Sequence, residues 1–314
     1  LKSVNLAVIG AGPIGGIMGA HLADAGHNVI LVDILKDHLD EIRDKGLSIG
    51  GTKKMNVPFP SENLCYSIDD LAGKNIDYIL VSVKASFLPK IMQMMKSAVA
   101  GDTTVVSLQN GLDTEELIAE VFGEENTLRI VVNYAGNMIG NGKLRMSFFN
   151  PPNYVGTVNP AAEGKASELA ELITAAELET VFTGEIKKYE WEKVILNAAL
   201  SPECALTRRT MKQMMELRET RELVRAVLIE GIEVAEASGI SYGPEFLDHC
   251  MGYLDKAGHH RTSMHVDIER GSPTEIDFIN GKIVEYGKLK GIPTPYNSTI
   301  VALIKGSELP EHTE

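Results

Sequence analysis

A chain of 314 residues, 44% hydrophobic and 23% charged, carries enough apolar material for two domains with separate cores. Its 43 acidic against 30 basic residues give a formal charge of -13, which argues against a nucleic-acid surface but leaves room for an anionic small molecule held by a few local cations or amides. No apolar run approaches the ~20 residues that span a bilayer, and no basic-then-apolar leader pattern opens the sequence, so a cytoplasmic protein is predicted.

Residues 4–9 (VNLAVI) form a short apolar run of the kind found in central parallel strands. Glycines follow, then a helix over 14–25 closed by Gly26 at its C′ position. Residues 28–32 predict a second strand ending at Asp33, and 36–45 a helix. The stretch 47–60, interrupted by Gly50, Gly51, Pro58 and Pro60, predicts a hairpin on the surface of the sheet. Strands over 78–83, 103–108 and 128–133 then alternate with helices over 87–99 and 114–122. Such alternation predicts a doubly wound parallel sheet with helices on both faces. Short segments at 134–138, 143–149 and 154–158 predict antiparallel additions at one end of that sheet, before a helix over 163–177 and a strand over 180–182. From Gly184 onward the pattern is helical, at 188–199, 211–238, 244–256, 274–288 and 296–305, and the tail after Gly306 is expected to be disordered. The predicted class is α/β, an N-terminal Rossmann-type doubly wound sheet over residues 1–184 with an all-α C-terminal domain over 185–314.

Gly10, Ala11, Gly12, Pro13, Ile14 and Gly15 match G-x-G-x-x-G between an apolar strand and a helix, with Asp33 at the end of the next strand. That context points to a dinucleotide site. Gly10 permits the tight turn, Gly12 lets the backbone approach a pyrophosphate, and Gly15 lets the helix pack on the strand, while the helix N-terminus faces the phosphates. A carboxylate at Asp33 can accept from both adenosine ribose hydroxyls and would repel a 2′-phosphate, which favours NAD(H) over NADP(H). Lys36 is the nearest cation and could offset that preference; alternatively Asp33 only N-caps the following helix, leaving the preference open.

The three cysteines, Cys65, Cys204 and Cys250, are isolated and predict free thiols. His249, His259, His260 and His265 lie close in sequence beside Cys250 and Asp267, without a recognised ligand spacing; polar residues at a helix–loop junction explain them, and no metal site is predicted.

Several later stretches join the glycine fingerprint in a pattern of its own. These are Val81-Ser82-Val83-Lys84, Gln109-Asn110-Gly111, Trp191-Glu192-Lys193 with Asn197, Ser263-Met264 with Asp267, and Thr274-Glu275-Ile276-Asp277 with Asn280-Gly281. In order and spacing they resemble the ketopantoate reductase (2-dehydropantoate 2-reductase) family over nearly the whole chain. The chemistry has an independent rationale. Hydride addition to a ketone builds negative charge on oxygen, which a proton donor must meet. Lys193 is the candidate, with Asn197 four residues on and projecting from the same helix face; burial would make its proton easier to give. The resemblance implies the same role for Lys193, with Asn197 and Asn110 holding the substrate, Ser263 binding its carboxylate, Glu275 accepting from a substrate hydroxyl beside the nicotinamide, and Lys84 and Asn110 bordering the cofactor. Taken singly, Lys193 reads as a solvated lysine, Glu275 as a first-turn carboxylate, and Asn110-Gly111 as a turn dipeptide.

Where the family commonly carries a second asparagine eight residues after its lysine, this chain has Ser201, a substrate-side position with fewer donors. Where the family commonly uses NADPH, this chain presents Asp33. The expected substrate is therefore a small 2-oxo or 2-hydroxy acid rather than ketopantoate in particular, with the active site in a cleft between the domains and a homodimer among the expected assemblies. Two alternatives stand beside it: an opine-type or 3-hydroxy-acid dehydrogenase of similar architecture, and an NAD(H)-binding redox sensor without turnover.

Overall fold

The structure, a computed structural model, describes residues 2–259 and 261–309. By its contacts the chain divides into two compact units, Leu1–Gln109 with Asp113–Ile186, and Asn110–Leu112 with Lys187–Glu314.

The first unit runs β1 (Asn5–Ile9), α1 (Pro13–Asp24), β2 (Asn28–Val32), α2 (Lys36–Lys45), β3 (Leu47–Gly51), β4 (Met55–Val57), β5 (Leu64–Cys65), β6 (Tyr78–Val81), α3 (Leu88–Ala98), β7 (Thr104–Ser107), α4 (Thr114–Phe122), β8 (Thr127–Val131), β9 (Tyr134–Gly140), β10 (Lys143–Phe149), β11 (Asn153–Thr157), α5 (Glu163–Ala175) and β12 (Thr180–Phe182). One sheet has the order β12-β11-β8-β7-β6-β1-β2-β5. Its pairings are parallel except that of β11 with β8. The central strands have no polar face: Leu6, Ala7 and Val8 in β1 and Ile79, Leu80 and Val81 in β6 are all fully buried. Burial on both faces is why they read as continuous apolar runs instead of alternating ones. The strand order reverses between β1 and β6, the kind of switch point at which open α/β sheets bind ligands.

The hairpin of residues 47–60 does not lie on the main sheet, and segments 134–138 and 143–149 do not extend it; only the third segment does, as β11. Instead β3, β4, β9 and β10 make a separate sheet, β4-β3-β10-β9, in which β10 runs parallel to β3 and antiparallel to β9. The cause lies in α1. Its sequence PIGGIMGAHLAD is buried without a break from Gly15 to Leu22, and a helix apolar on nearly every side needs cover on more than one. A methyl group added at Gly19 would meet Leu31 at 3.1 Å and Val8 at 3.2 Å on the main sheet, whereas one at Gly16 would meet Leu144 of β10 at 2.6 Å. The second sheet covers the face of α1 that the first cannot reach.

The second unit is helical: α6 (Ile186–Ala198), α7 (Ser201–Thr207), α8 (Met211–Glu216), α9 (Arg218–Ala237), α10 (Phe246–Leu254), α11 (Ser263–Glu269), α12 (Asn280–Lys290) and α13 (Pro295–Ser307). Trp191, Ile195, Leu228, Ile283 and Ile300 are among its core residues. The helix expected over 211–238 is broken at Leu217, whose ψ of 128° is extended, and α8 has its own start in a capping box between Thr210 and Gln213. The helix expected over 274–288 is broken as well. A 3-10 turn at Ile276–Phe278 precedes α12, because the Phe278 carbonyl accepts the Leu112 N–H at 3.0 Å instead of continuing the helix. Neither α7 nor α11 was expected. Helix α13 continues one residue past Gly306, and residues 310–314 of the tail lie outside the described residues, as does His260 of the histidine group.

Cys65, Cys204 and Cys250 are free and buried, and burial pushes the thiols of Cys204 and Cys250 up to about 12. Among the described residues no group of His, Cys, Asp or Glu is arranged to hold a metal ion, and no helix is long and apolar enough to cross a membrane.

Candidate active site

In the first unit, β2, β1, β6 and β7 end in register, Ile9 opposite both Val32 and Val81, and Val81 opposite Ser107. The residues just past those ends, Gly10, Asp33 and Ser82 among them, therefore share the carboxyl edge of the sheet. Gly10 turns the chain at φ +100°, a conformation that disfavours any side chain. Its N–H donates to Val32 O at 2.8 Å, and its carbonyl accepts from Ser82 Oγ at 2.7 Å. Gly15 is crowded: a methyl there would overlap Ser82 Oγ and the Gly10 carbonyl and lie 2.7 Å from Val8. A methyl at Gly12, by contrast, would meet no protein atom within 4 Å. The loop is thus packed where it meets the strand and open at the start of α1, which has Pro13 in its first turn and no side-chain cap on its amides. That is the shape and polarity of a pyrophosphate cradle. Gly15→Ala is expected to destabilise the fold by about 1–3 kcal/mol through overpacking; an unchanged thermal midpoint would contradict the crowding.

Asp33 is not the N-cap of α2. That position is Leu35 and carries no side-chain cap. Instead Asp33 Oδ2 accepts the Ala11 N–H at 2.7 Å and Oδ1 the Leu35 N–H at 2.9 Å, which fixes the carboxylate against the glycine loop. The next residue, Ile34, is 85% exposed. The Lys36 ammonium lies 5.8 Å from the Tyr66 ring centroid, in cation–π range. Lys84, half-buried, precedes the 3-10 turn Ala85–Phe87 just past β6.

The other predicted residues all belong to the second unit, Asn110 included. Asn110 Nδ2 donates to Glu275 Oε2 at 3.4 Å. Gly111, at φ +106°, brings its backbone so near the following turn that an added methyl would lie 2.5 Å from Phe278 Cβ. The structure thus joins two stretches 165 residues apart and gives Asn110 and Glu275 a shared hydrogen bond.

Lys193 and Asn197 are one turn apart on α6, both half-buried, while Val194, Ile195 and Ala198 are buried in the core. The end of that helix is anchored from below. Asn280 Nδ2 donates to Ala198 O and to Asn297 Oδ1, both at 3.0 Å, and Asn297 Nδ2 donates to Glu230 Oε2 at 2.7 Å. Asn280 and Asn297 are fully buried. Ser201 opens α7, is only 8% exposed, and accepts at its carbonyl from Thr262 Oγ1 at 3.1 Å. Thr262 also caps α11, whose first residue is the exposed Ser263, so Ser201 and Ser263 are linked through one side chain.

Sequence reasoning missed the supports of this arrangement. Asn297 and Glu230 carry no motif, and their pairing depends on helices far apart in the chain. His38, fully buried beside the glycine loop, was also missed; it follows Asp33 by five residues and no local pattern marks it.

Family models described as ketopantoate reductase PanE/ApbA match residues 6–160, and the C-terminal model of the same family matches residues 185–308. The chain is 30% identical over 309 residues to 2-dehydropantoate 2-reductase of Pyrococcus abyssi, covering 97% of this chain and 98% of the relative. It is 28% identical over 307 residues to the enzyme of that name from Streptococcus pyogenes serotype M1, covering 96% and 97%. Among solved structures it is similar to 2-dehydropantoate 2-reductase from Geobacter metallireducens (TM-score 0.88, 25% identity, 97% and 100% coverage). It is similar also to a D-mandelate dehydrogenase in a ternary complex with NADH and anilino(oxo)acetate (TM-score 0.87, 26% identity, 97% and 98% coverage).

Proposed function

The chain belongs to the ketopantoate reductase (PanE/ApbA) family, and from that premise we propose that it transfers a hydride between NAD(H) and a small 2-oxo or 2-hydroxy acid. It is an NAD(P)-dependent oxidoreductase acting on a CH–OH group, which sets aside the reading as a sensor without turnover. Gly10 to Gly15 with Asp33 and Lys84 would hold the dinucleotide, and Asn110 would border it. The nicotinamide, when bound, supplies or accepts the hydride. Lys193 gives a proton to the oxygen on which negative charge develops in reduction, and takes it back in oxidation. Asn110, Asn197 and Ser201 orient the substrate, Ser263 binds its carboxylate, and Glu275, accepting from Asn110, is fixed to accept from a substrate hydroxyl as well.

The observation that carries the cofactor choice is the Asp33 carboxylate held against the glycine loop by Ala11 and Leu35, with an apolar Ile34 next to it. Like-charge repulsion between that carboxylate and a 2′-phosphate is worth about 1–4 kcal/mol at ~4 Å across the dielectric range of a protein surface. The D-mandelate dehydrogenase neighbour, bound to NADH, supports a nicotinamide cofactor. NADH is therefore expected to have a KM roughly tenfold or more below that of NADPH. Asp33→Asn, which removes the charge while keeping an acceptor for Ala11, should narrow the gap. A clear NADPH preference in the unaltered protein would sink this reading. The acid itself is assigned by NADH oxidation against a panel of 2-oxo acids that includes 2-dehydropantoate and aryl-substituted members.

A further inference from the structure

We propose that His38 is a positioning residue for dinucleotide binding, holding the glycine loop in its binding conformation from behind. The inference rests on the reading of Gly10–Gly15 as the dinucleotide cradle. The peptide units at Ala11 are gripped on both sides by side chains of the second βα segment. Asp33 Oδ2 takes the Ala11 N–H at 2.7 Å, and His38 Nε2 lies 3.1 Å from the Ala11 carbonyl oxygen. The other ring nitrogen, Nδ1, receives the N–H of Gly142 at 3.0 Å.

The proton can be located from these partners alone. A backbone amide only donates, so Nδ1 must be the acceptor; the single ring proton sits on Nε2 and is donated to the Ala11 carbonyl. His38 is fully buried, so neither Ala11 O nor Gly142 N–H has water to replace it. Gly142 in turn is fixed: it sits at φ +64° between β9 and β10, and its carbonyl accepts the Ser48 N–H at 2.9 Å. The imidazole therefore ties the cofactor loop to the second sheet through one fixed tautomer. Losing it would free the loop to turn its amides away from a pyrophosphate, a cost that falls on dinucleotide affinity and leaves proton transfer alone.

The test compares the parent with His38→Leu and His38→Gln. The Kd for NADH and for NADPH is measured by fluorescence titration, and kcat at saturating dinucleotide alongside. His38→Leu should raise both Kd values about tenfold, the scale of one buried hydrogen bond to the loop, while saturated kcat changes less than threefold. His38→Gln, which retains a donor and an acceptor, should recover part of the affinity. Imidazole nitrogen NMR of the parent should show the Nε2–H tautomer, a readout independent of whether His38→Leu folds. Unchanged Kd values in a folded His38→Leu, or an Nδ1–H tautomer, overturn the proposal. A parent that binds neither dinucleotide overturns the cradle reading beneath it as well.

Discussion

Lys193→Ala is expected to lower kcat by roughly 10²- to 10⁴-fold, the usual contribution of a general acid, with little change in the Kd for NADH. Lys193 lies on α6 in the second unit, whereas the glycine cradle and Asp33 lie in the first, so the mutation leaves the groups that would grip the dinucleotide intact. Lys193→Arg should not restore the rate in full, because guanidinium holds its proton at neutral pH. Reductive turnover should also fall on the alkaline side, as the ammonium loses the proton it is required to give. The competing role is electrostatic: Lys193 attracts the substrate carboxylate and does nothing to the transition state. In that case Lys193→Ala would raise KM with kcat almost unchanged, and Lys193→Arg would retain most of the turnover. Measuring kcat, KM and the dinucleotide Kd for both variants separates the two, and a near-normal kcat in Lys193→Ala removes this residue from proton transfer.

The second large effect concerns stability. Glu203, in α7, is 2% exposed, and neither carboxyl oxygen has a hydrogen-bond partner among the described residues. Burial pushes its carboxyl up from 4.5 to about 8. The folded state therefore holds this proton over a pH range in which the unfolded chain has released it. The stability Glu203 contributes is fully present below about pH 4.5 and is lost as pH rises through about 8. At 1.36 kcal/mol per pH unit, the loss between pH 5 and pH 8 is about 3–4 kcal/mol. Glu203→Gln, neutral throughout, should match the parent near pH 5 and exceed it by about that amount at pH 8. Urea unfolding at the two pH values reads this directly; parallel pH dependences in parent and variant would show that the carboxyl is not held neutral.

The Asn280–Asn297–Glu230 chain shows how the candidate site is built in layers. The residues proposed for the chemistry, Lys193 and Asn197, stand on a helix whose terminal carbonyls must find partners beyond the helix itself. Asn280 takes one of them and is itself held by Asn297, which Glu230 grips at both backbone and side chain. The donors in that chain are buried and occupied, while the Asn280 Oδ1 acceptor has no hydrogen-bond partner among the described residues.

The sequence by itself determined what local chemistry dictates. Continuous apolar runs mark strands buried on both faces, as in β1 and β6, and the glycine pattern specifies a turn whose first glycine, Gly10, takes a positive φ and whose last, Gly15, is packed too tightly for a side chain. The order of the motifs carried the family, because Lys193, Asn197, Ser263 and Glu275 keep a recognisable spacing whatever their surroundings. What only the tertiary structure decided depends on partners distant in the chain. The second sheet arises because α1 is apolar on too many sides for one sheet to cover, a fact present in PIGGIMGAHLAD but without meaning until Leu144 is there to meet it. The break before α12 exists because Phe278 spends its carbonyl on Leu112. Asp33 lies against the glycine loop, and not at a helix start, because Ala11 offers an amide across the strand ends. Glu203 and His38 are ordinary letters on short helices; burial gives the first an unusual proton affinity, and two backbone partners give the second a fixed tautomer. Local propensity is encoded residue by residue, whereas burial and hydrogen-bond partnership belong to pairs of residues that only folding brings together.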